Sequence, residues 1–335
     1  MNPLTIIREK AKKQLRRIIL PESNDERVIE AASHIVRDGI AEILLLGNVE
    51  ETKKGLAKFG PYPESLLEVV NPTEGEIFEK MLARFCDKRK GKDADKETYR
   101  KLLSENSTYI AALMTDTGIA DGFVAGASHK TSEVAKAALY CLGVDELIGV
   151  ASGAFVMYIE GSSYGDDGLF LFADCGLVPD PTPRQLAGIA LSSGRLYKKL
   201  FGREPHVAML SYSTKSSAHG PLVEKVKRAV DEVKRLEPNL LVDGELQADS
   251  ALDPSVAQKK TSIKDSPVAG KANVLVFPNL DSGNISYKLV QRLAGARAVG
   301  PLMQGLKKPC SDLSRGCDVD DVIDAVAVTA VRAGE

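Results

Sequence analysis

Two short apolar runs, RIIL at 17–20 and AEILLLG at 41–47, flank the stretch PESNDERVIEAASHIVRDG, and this alternation limits the possible folds more than any other feature of the chain. Between the runs Val28, Ala31, Ala32 and Ile35 recur at the spacing of one helical face. Ser23 and Glu26 stand three apart ahead of them, the spacing of a capping box in which the two side chains satisfy backbone N–H groups reciprocally. Gly39 follows where a C-terminal cap belongs. Strand, helix and strand in this order form a β-α-β unit, which implies a parallel sheet with a helix crossing it.

The alternation continues. Charged helical segments are expected at 74–90 and 96–105, a strand at DGFVAG (121–126) and a helix at 131–142. AFVMYIE and GLFLFADC, joined by the turn-rich GSSYGDDG, read instead as an antiparallel hairpin over 153–174. A second domain is expected to begin there. Helices at 183–201, 221–236, 285–295 and 319–332 then alternate with strands at HVAMLSYS, LLVDG, NVLVFP and ARAVGP. The class is α/β throughout, with two sheets expected in a chain of 335 residues.

Composition removes several functions. Trp is absent, aromatic residues are 5% and the net charge is -2, so neither base stacking nor neutralisation of a phosphate backbone is provided for. No nucleic-acid partner is expected. The start MNPLTIIREKAKKQLRR has no apolar signal-peptide core, and no run is long enough to span a bilayer; a cytoplasmic protein without membrane contact is expected. The five cysteines, Cys86, Cys141, Cys175, Cys310 and Cys317, form no C-x-x-C pair. The four histidines, His34, His129, His206 and His219, have no metal-ligand spacing, and no metal is expected. Neither a nucleotide P-loop nor a convincing G-x-G-x-x-G is present. DVDDVIDAVAVT begins like a calcium loop but lacks its turn glycine and closing glutamate.

Three segments share one layout of strand, small-residue loop and helix: AMLSYSTKSSAHGP, LVFPNLDSGNISYK and the region opened by DLSRGCDVDD. Open α/β sheets bind ligands in such loops, where backbone N–H groups and a helix N-terminus attract anions. Ser211, Ser213, Ser216, Ser217 and Lys215 in the first, Gly283 and Asn284 in the second, and Arg315 with Gly316 in the third are candidate contacts to a phosphate-bearing ligand. Any one loop is explained equally well by turns and caps. Asp318, Asp320 and Asp321 suit a helix N-terminus, but that role does not explain Ser-Arg-Gly directly before them.

The segment NVLVFPNLDSGNISYKLVQRLAGARAVGPLMQGLKKPCSDLSRGCDVDDVIDAVAVTA resembles the most characteristic block of the phosphate acetyltransferase (phosphotransacetylase) family, within the phosphate acetyl/butyryltransferases. LPESNDERVIEAA, GFVAGASHKT, FADC, VAMLSYSTKSSA and DGELQADSALDPSVAQKK extend the likeness over essentially the whole chain. It implies two α/β/α domains with an interdomain cleft, an isocitrate/isopropylmalate dehydrogenase-like architecture, with residues 1–150 plus 302–335 in the first domain and 151–301 in the second. The implied reaction is reversible acetyl transfer between acetyl phosphate and coenzyme A in a ternary complex, without an acyl-enzyme.

By position, the resemblance makes Asp321 the base for the coenzyme A thiol, and Ser314 and Arg315 the pair that binds phosphate and stabilises charge on the attacked carbonyl. Arg89 is preferred over Lys88 or Arg84 for an early family arginine, and Lys136 stands where the family has another; lysine there keeps the charge and loses the planar fork. Cys175 and Cys317 match cysteines near the family site. Coenzyme A is a substrate, no cofactor is bound permanently, and a homodimer is implied, to which the 153–174 hairpin contributes. A thiol near ~8.5 yielding its proton to an aspartate near ~3.9 is uphill by roughly 6 kcal/mol, so Asp321 is expected to be desolvated once both substrates are bound. Phosphate butyryltransferase, a non-catalytic acetyl-CoA-sensing domain and a dehydrogenase on the same architecture are the alternatives.

Overall fold

The computed structural model describes residues 3–92 and 95–334. The chain begins with α1 (Pro3–Lys12), β1 (Arg17–Leu20), α2 (Glu26–Arg37), β2 (Glu42–Leu46), α3 (Val49–Ala57) and β3 (Leu67–Val70). It continues through α4 (Gly75–Lys88), α5 (Lys96–Glu105), α6 (Ser107–Asp116), β4 (Gly122–Ala125) and α7 (Thr131–Cys141). Next come β5 (Ser152–Tyr158), β6 (Leu169–Ala173), α8 (Pro183–Phe201), β7 (His206–Leu210), α9 (Pro221–Leu236) and β8 (Leu241–Leu246). The last elements are α10 (Ala248–Leu252), α11 (Pro254–Lys259), β9 (Val274–Val276), α12 (Leu280–Leu293), β10 (Arg297–Gln304), β11 (Cys310–Asp312) and α13 (Val319–Ala333).

These elements form two compact units, one running to Gly143 and resuming at Leu306, the other spanning Val144–Gly305. In the first, five strands run in the order β3-β2-β1-β4-β11, all parallel. Ile18, Ile19, Leu44 and Leu45 are buried, as a parallel sheet covered on both faces requires. The chain leaves β1 towards β2 and β3 on one side and returns as β4 on the other. The carboxyl ends of β1 and β4 therefore flank a switch point, the place where such sheets hold ligands. Helix α13 packs on α1, α2 and β4.

The second unit has the order β10-β5-β6-β9-β7-β8. Strands β5 and β6 pair antiparallel, as the hairpin reading expects, β10 is antiparallel to β5, and β6, β9, β7 and β8 are mutually parallel. Phe155, Phe170, Phe172, Leu275 and Phe277 form the centre of one apolar cluster in this unit.

Helix α2 begins two residues later than the capping box of Ser23 and Glu26 predicts. Asp25 is the N-cap of α2 and accepts from Arg27 N–H, while Ser23 turns inward and its hydroxyl accepts from Thr52 at 3.2 Å. Helix α12 starts five residues before the expected position, capped by Asn279, which accepts from Ser282 N–H at 3.0 Å.

Helix α8 shows the capping logic in full. Thr182 accepts from Gln185 N–H at 3.3 Å and the Gln185 side chain accepts from Thr182 N–H at 2.9 Å; Pro183 follows the cap and Gly202 closes the helix at φ 66°. Replacing Thr182 with Ala is expected to cost about 1 kcal/mol, read as a lower urea midpoint with an unchanged m-value.

Candidate active site

Three loops meet at the carboxyl ends of β1, β4 and β11. The Glu22 carboxylate, 2% exposed, accepts the N–H groups of Gly126 (2.8 Å), Ala127 (2.9 Å), Ser128 (2.9 Å) and His129 (3.0 Å). The Ser128 hydroxyl (2.9 Å) and His129 Nδ1 (2.7 Å) complete its shell. Burial opposes its charge, but the bonds from His129, Ser128 and Ala127 outweigh this and hold the carboxyl at about 2. The same pairing raises the His129 pKa.

Arg27 ties this pair of loops to the third. Its Nη1 donates to the carbonyls of Arg315 (2.9 Å) and Cys317 (2.7 Å), and its Nη2 to Ala127 (3.0 Å) and to Asp25 (2.6 Å). The backbone of Arg315 is thus fixed while its guanidinium has no hydrogen-bond or ion-pair partner among the described residues. Ser314 Oγ accepts from Gly316 N–H at 3.2 Å and is exposed. The loop runs into α13 through a reciprocal cap: Asp318 accepts from Asp321 N–H (2.8 Å) and Asp321 from Asp318 N–H (3.1 Å). Asp318 takes the capping role and Asp321 sits in the first turn. Arg8 on α1 bonds Asp324 (2.6 Å) and Asp320 (2.9 Å), bracketing Asp321 along the helix.

The early cations separate by their partners. Arg84 and Lys88 are both paired with Asp116, at 2.8 and 2.7 Å. Arg89 instead lies 4.1 Å above the ring of Tyr140 on α7, a cation–π contact. Lys136 is exposed one turn earlier on that helix, so Arg89 and Lys136 share a face.

The second unit holds the remaining candidates. Ser213 is fully buried; its hydroxyl donates to Glu245 at 3.0 Å and accepts from Ala218 N–H. Ser216 N–H donates to the same carboxylate, and Lys215 donates to Asp243 and to the Gly244 carbonyl. Ser211 Oγ accepts from Ser213 N–H at 3.2 Å. This loop is therefore already filled by two internal carboxylates. Gly283 and Asn284 pack on the chain after β6: Asn284 donates to the Cys175 carbonyl at 3.1 Å. A β-carbon at Gly283 would lie 2.0 Å from the Asp174 carbonyl oxygen. Asp174, nearly fully buried, accepts four N–H groups, from Gly153, Gly176, Leu177 and Val178. Burial pushes Cys317 up to about 11 and Cys175 well above its ordinary value, so neither thiol is a ready nucleophile.

Glu22, Arg27, His129 and Asp174 carry much of this geometry, and sequence reasoning assigned none of them a role. Glu22 and Gly126 lie 104 residues apart; the only signal available was that each follows a strand of the expected parallel sheet.

A parallel sheet whose switch-point loops carry an arginine unpaired among the described residues and a helix-borne aspartate defines an α/β protein whose switch point can accommodate an anion. Residues 4–330 match the family model described as phosphate acetyl/butaryl transferase, and the chain belongs to that family. It is 42% identical to a phosphate acetyltransferase of Thermoanaerobacterium thermosaccharolyticum over 99% of this chain and 100% of the relative. With a phosphate acetyltransferase of Acetivibrio thermocellus the identity is 44%, over 99% and 98%. A phosphotransacetylase crystal structure from Streptococcus pyogenes superposes with a TM-score of 0.91 at 40% identity, covering 99% of this chain and 98% of that one. A 4-hydroxythreonine-4-phosphate dehydrogenase from Klebsiella pneumoniae, 9% identical with a TM-score of 0.55 and covering 96% of this chain and 100% of that one, shares the fold alone.

Glu22 gives acid sensitivity of defined sign. Its folded pKa lies below its ordinary value of 4.5, so its stabilisation is fully present above that value and is lost as pH falls towards about 2. Glu22→Gln is expected to lower stability at neutral pH by about 3 kcal/mol and to flatten the acid limb of a denaturation profile.

Proposed function

We propose that the chain is a phosphate acetyltransferase that moves an acetyl group reversibly between acetyl phosphate and coenzyme A, with Ser314 and Arg315 at the phosphate and Asp321 as base. The observation that carries this reading is a contrast among loops. The Gly126–His129 amides are taken by Glu22 and the Ser213–Ser216 loop by Glu245 and Asp243, whereas Ser314–Gly316 is held from behind by Arg27 and leaves the Arg315 guanidinium unpaired among the described residues. That loop can accept an external anion, and a guanidinium fork matches a phosphate or a developing oxyanion.

Asp321 takes the proton of the coenzyme A thiol. The sulfur forms a bond to the carbonyl carbon of acetyl phosphate, and the electron pair moves to the carbonyl oxygen beside Arg315 and Ser314. Collapse of the tetrahedral adduct breaks the carbon–oxygen bond, and the proton held by Asp321 passes to the departing phosphate oxygen, which leaves the thioester, hydrogen phosphate and the restored carboxylate. Proton removal by a helix-borne carboxylate is unfavourable in water, so the bound substrates must desolvate Asp321. Arg89 and Lys136 offer two positive charges on one face, suited to the phosphates of coenzyme A. Gly316 permits close backbone approach to the phosphate beside Arg315, while Gly283, Asn284 and the serines Ser211, Ser213 and Ser216 shape loops of the second unit, where Lys215 neutralises Asp243. The reading needs no resident cofactor or metal.

A cytoplasmic homodimer fits this function. Ile285, Leu289 and Leu293 form an exposed apolar stripe on α12 at four-residue spacing, a surface suited to a second copy.

The test is thioester formation from coenzyme A with acetyl phosphate or butyryl phosphate, in wild type and Asp321→Asn. Acetyl phosphate should turn over fastest, and the variant should lose about 10²–10⁴ in kcat with little change in KM. Faster butyryl transfer would make the chain a butyryltransferase, and acetyl-CoA binding without turnover would make it a sensor. Lys136→Ala should raise the KM for coenzyme A more than it lowers kcat; an unchanged KM would remove Lys136 from the site.

A further inference from the structure

Asp312 ends β11, two residues before Ser314, and its carboxyl has no role in the reaction above. It is 1% exposed, and neither carboxyl oxygen makes a hydrogen bond among the described residues. The strand register sets it opposite Ala125. Its Oδ1 lies 2.3 Å from where a β-carbon of Gly126 would stand, so the carboxyl occupies the space a side chain would take at Gly126. The nearest amide, Leu313 N–H, is already bonded to the Ala125 carbonyl at 2.8 Å.

The charged surroundings come from every neighbouring element. Burial is the largest influence against a charge on Asp312; the Thr131 hydroxyl at the start of α7 favours the charged form, the ionised Glu22 in the β1–α2 loop disfavours it, and the Leu313 amide favours it least strongly. Cys310, on the same strand, is a buried neutral thiol. His129 and Arg27, the nearby cations, are paired with Glu22 and Asp25. A buried carboxylate with no well-formed hydrogen bond beside another carboxylate is disfavoured, whereas the neutral acid is tolerated. Burial is the main cause that pushes this group up to about 7.

We propose that Asp312 is a positioning residue whose neutral carboxyl lets Gly126 and the Leu313–Gly316 backbone pack against each other, and whose ionisation forces them apart and weakens anion binding at Ser314 and Arg315. The proposal rests on the reading of that loop as the phosphate site. A charged Asp312 needs water or N–H donors, and the two backbones that would have to move to admit them are the ones that hold the loop.

Sulfate is the probe, because it carries the same charge at pH 6 and pH 8. Its Kd, measured by titration calorimetry, should be similar for wild type and Asp312→Asn at pH 6. At pH 8 wild type should bind about tenfold more weakly, since the competent neutral fraction falls to about a tenth one pH unit above the titration point. The Asn variant should not weaken, and its kcat/KM for acetyl phosphate relative to wild type should rise over the same range. His129 and the coenzyme A thiol titrate alike in both proteins and cancel in the ratio. A pH-independent wild-type Kd, or an equal loss in the variant, overturns the proposal. Should the variant fail to fold, carbon-13 titration of the wild-type aspartates decides: one carboxyl titrating near neutrality supports it, and none above pH 5 overturns it. Failure of acetyl phosphate to react at any pH removes the acetyltransferase reading, and the sulfate measurement then decides on Asp312 alone.

Discussion

The carboxylate of Glu22 is the group on which the first unit's loop geometry depends. Four consecutive N–H groups, one hydroxyl and one imidazole converge on it. A chain segment with four amides pointing one way is an anion nest, and left empty it would attract any phosphate or carboxylate in solution. Occupation by a covalently attached anion makes the segment a rigid wall. Arg27 extends the rigidity to the β11–α13 loop chiefly by bonding carbonyls, with the Cys317 sulfur also in reach, so the third loop is located without the side chains of Ser314 and Arg315 being consumed.

The second unit repeats the device with different residues. Asp174 gathers the amides after β6, and Glu245 with Asp243 gathers the hydroxyl, amide and ammonium of the serine-rich loop. Small-residue loops after parallel strands are therefore of two kinds in this chain, those plugged by an internal carboxylate and those left open. The distinction matters for reading function, because composition is the same in both and only the open kind can receive a ligand's charge.

That distinction marks the boundary of what the sequence discloses. The β-α-β opening, the antiparallel hairpin and the closing helix were legible because each depends on local periodicity and turn residues. Strands β3 and β11 were not, because LEVV and CSD carry charged or polar residues where a buried strand of this length shows an apolar run. The capping box at Ser23 failed because Thr52, 29 residues away, competes for the serine hydroxyl. Ser314, Arg315 and Asp321 could be picked out by residue type and resemblance. Glu22 and Arg27 could not, since the partners of Glu22 lie 104 to 107 residues distant and those of Arg27, Asp25 apart, 100 to 290, and neither residue type announces such a role.

The discontinuity of the first unit bears on how the protein is made. Synthesis runs from the amino end, and domains fold as units when their residues are available. Val144–Gly305 can fold while the ribosome still holds the segment that supplies β11 and α13. Until that segment emerges, β4 has an unpaired edge, Arg8 has neither Asp320 nor Asp324, and Arg27 has no carbonyls of residues 315 and 317 to bind. The loop that carries Ser314 and Arg315 thus arrives last, into a frame whose other parts were translated first. The nascent chain cannot possess a finished site, and its exposed parallel edge is the hazard that rapid closure by the final thirty or so residues removes.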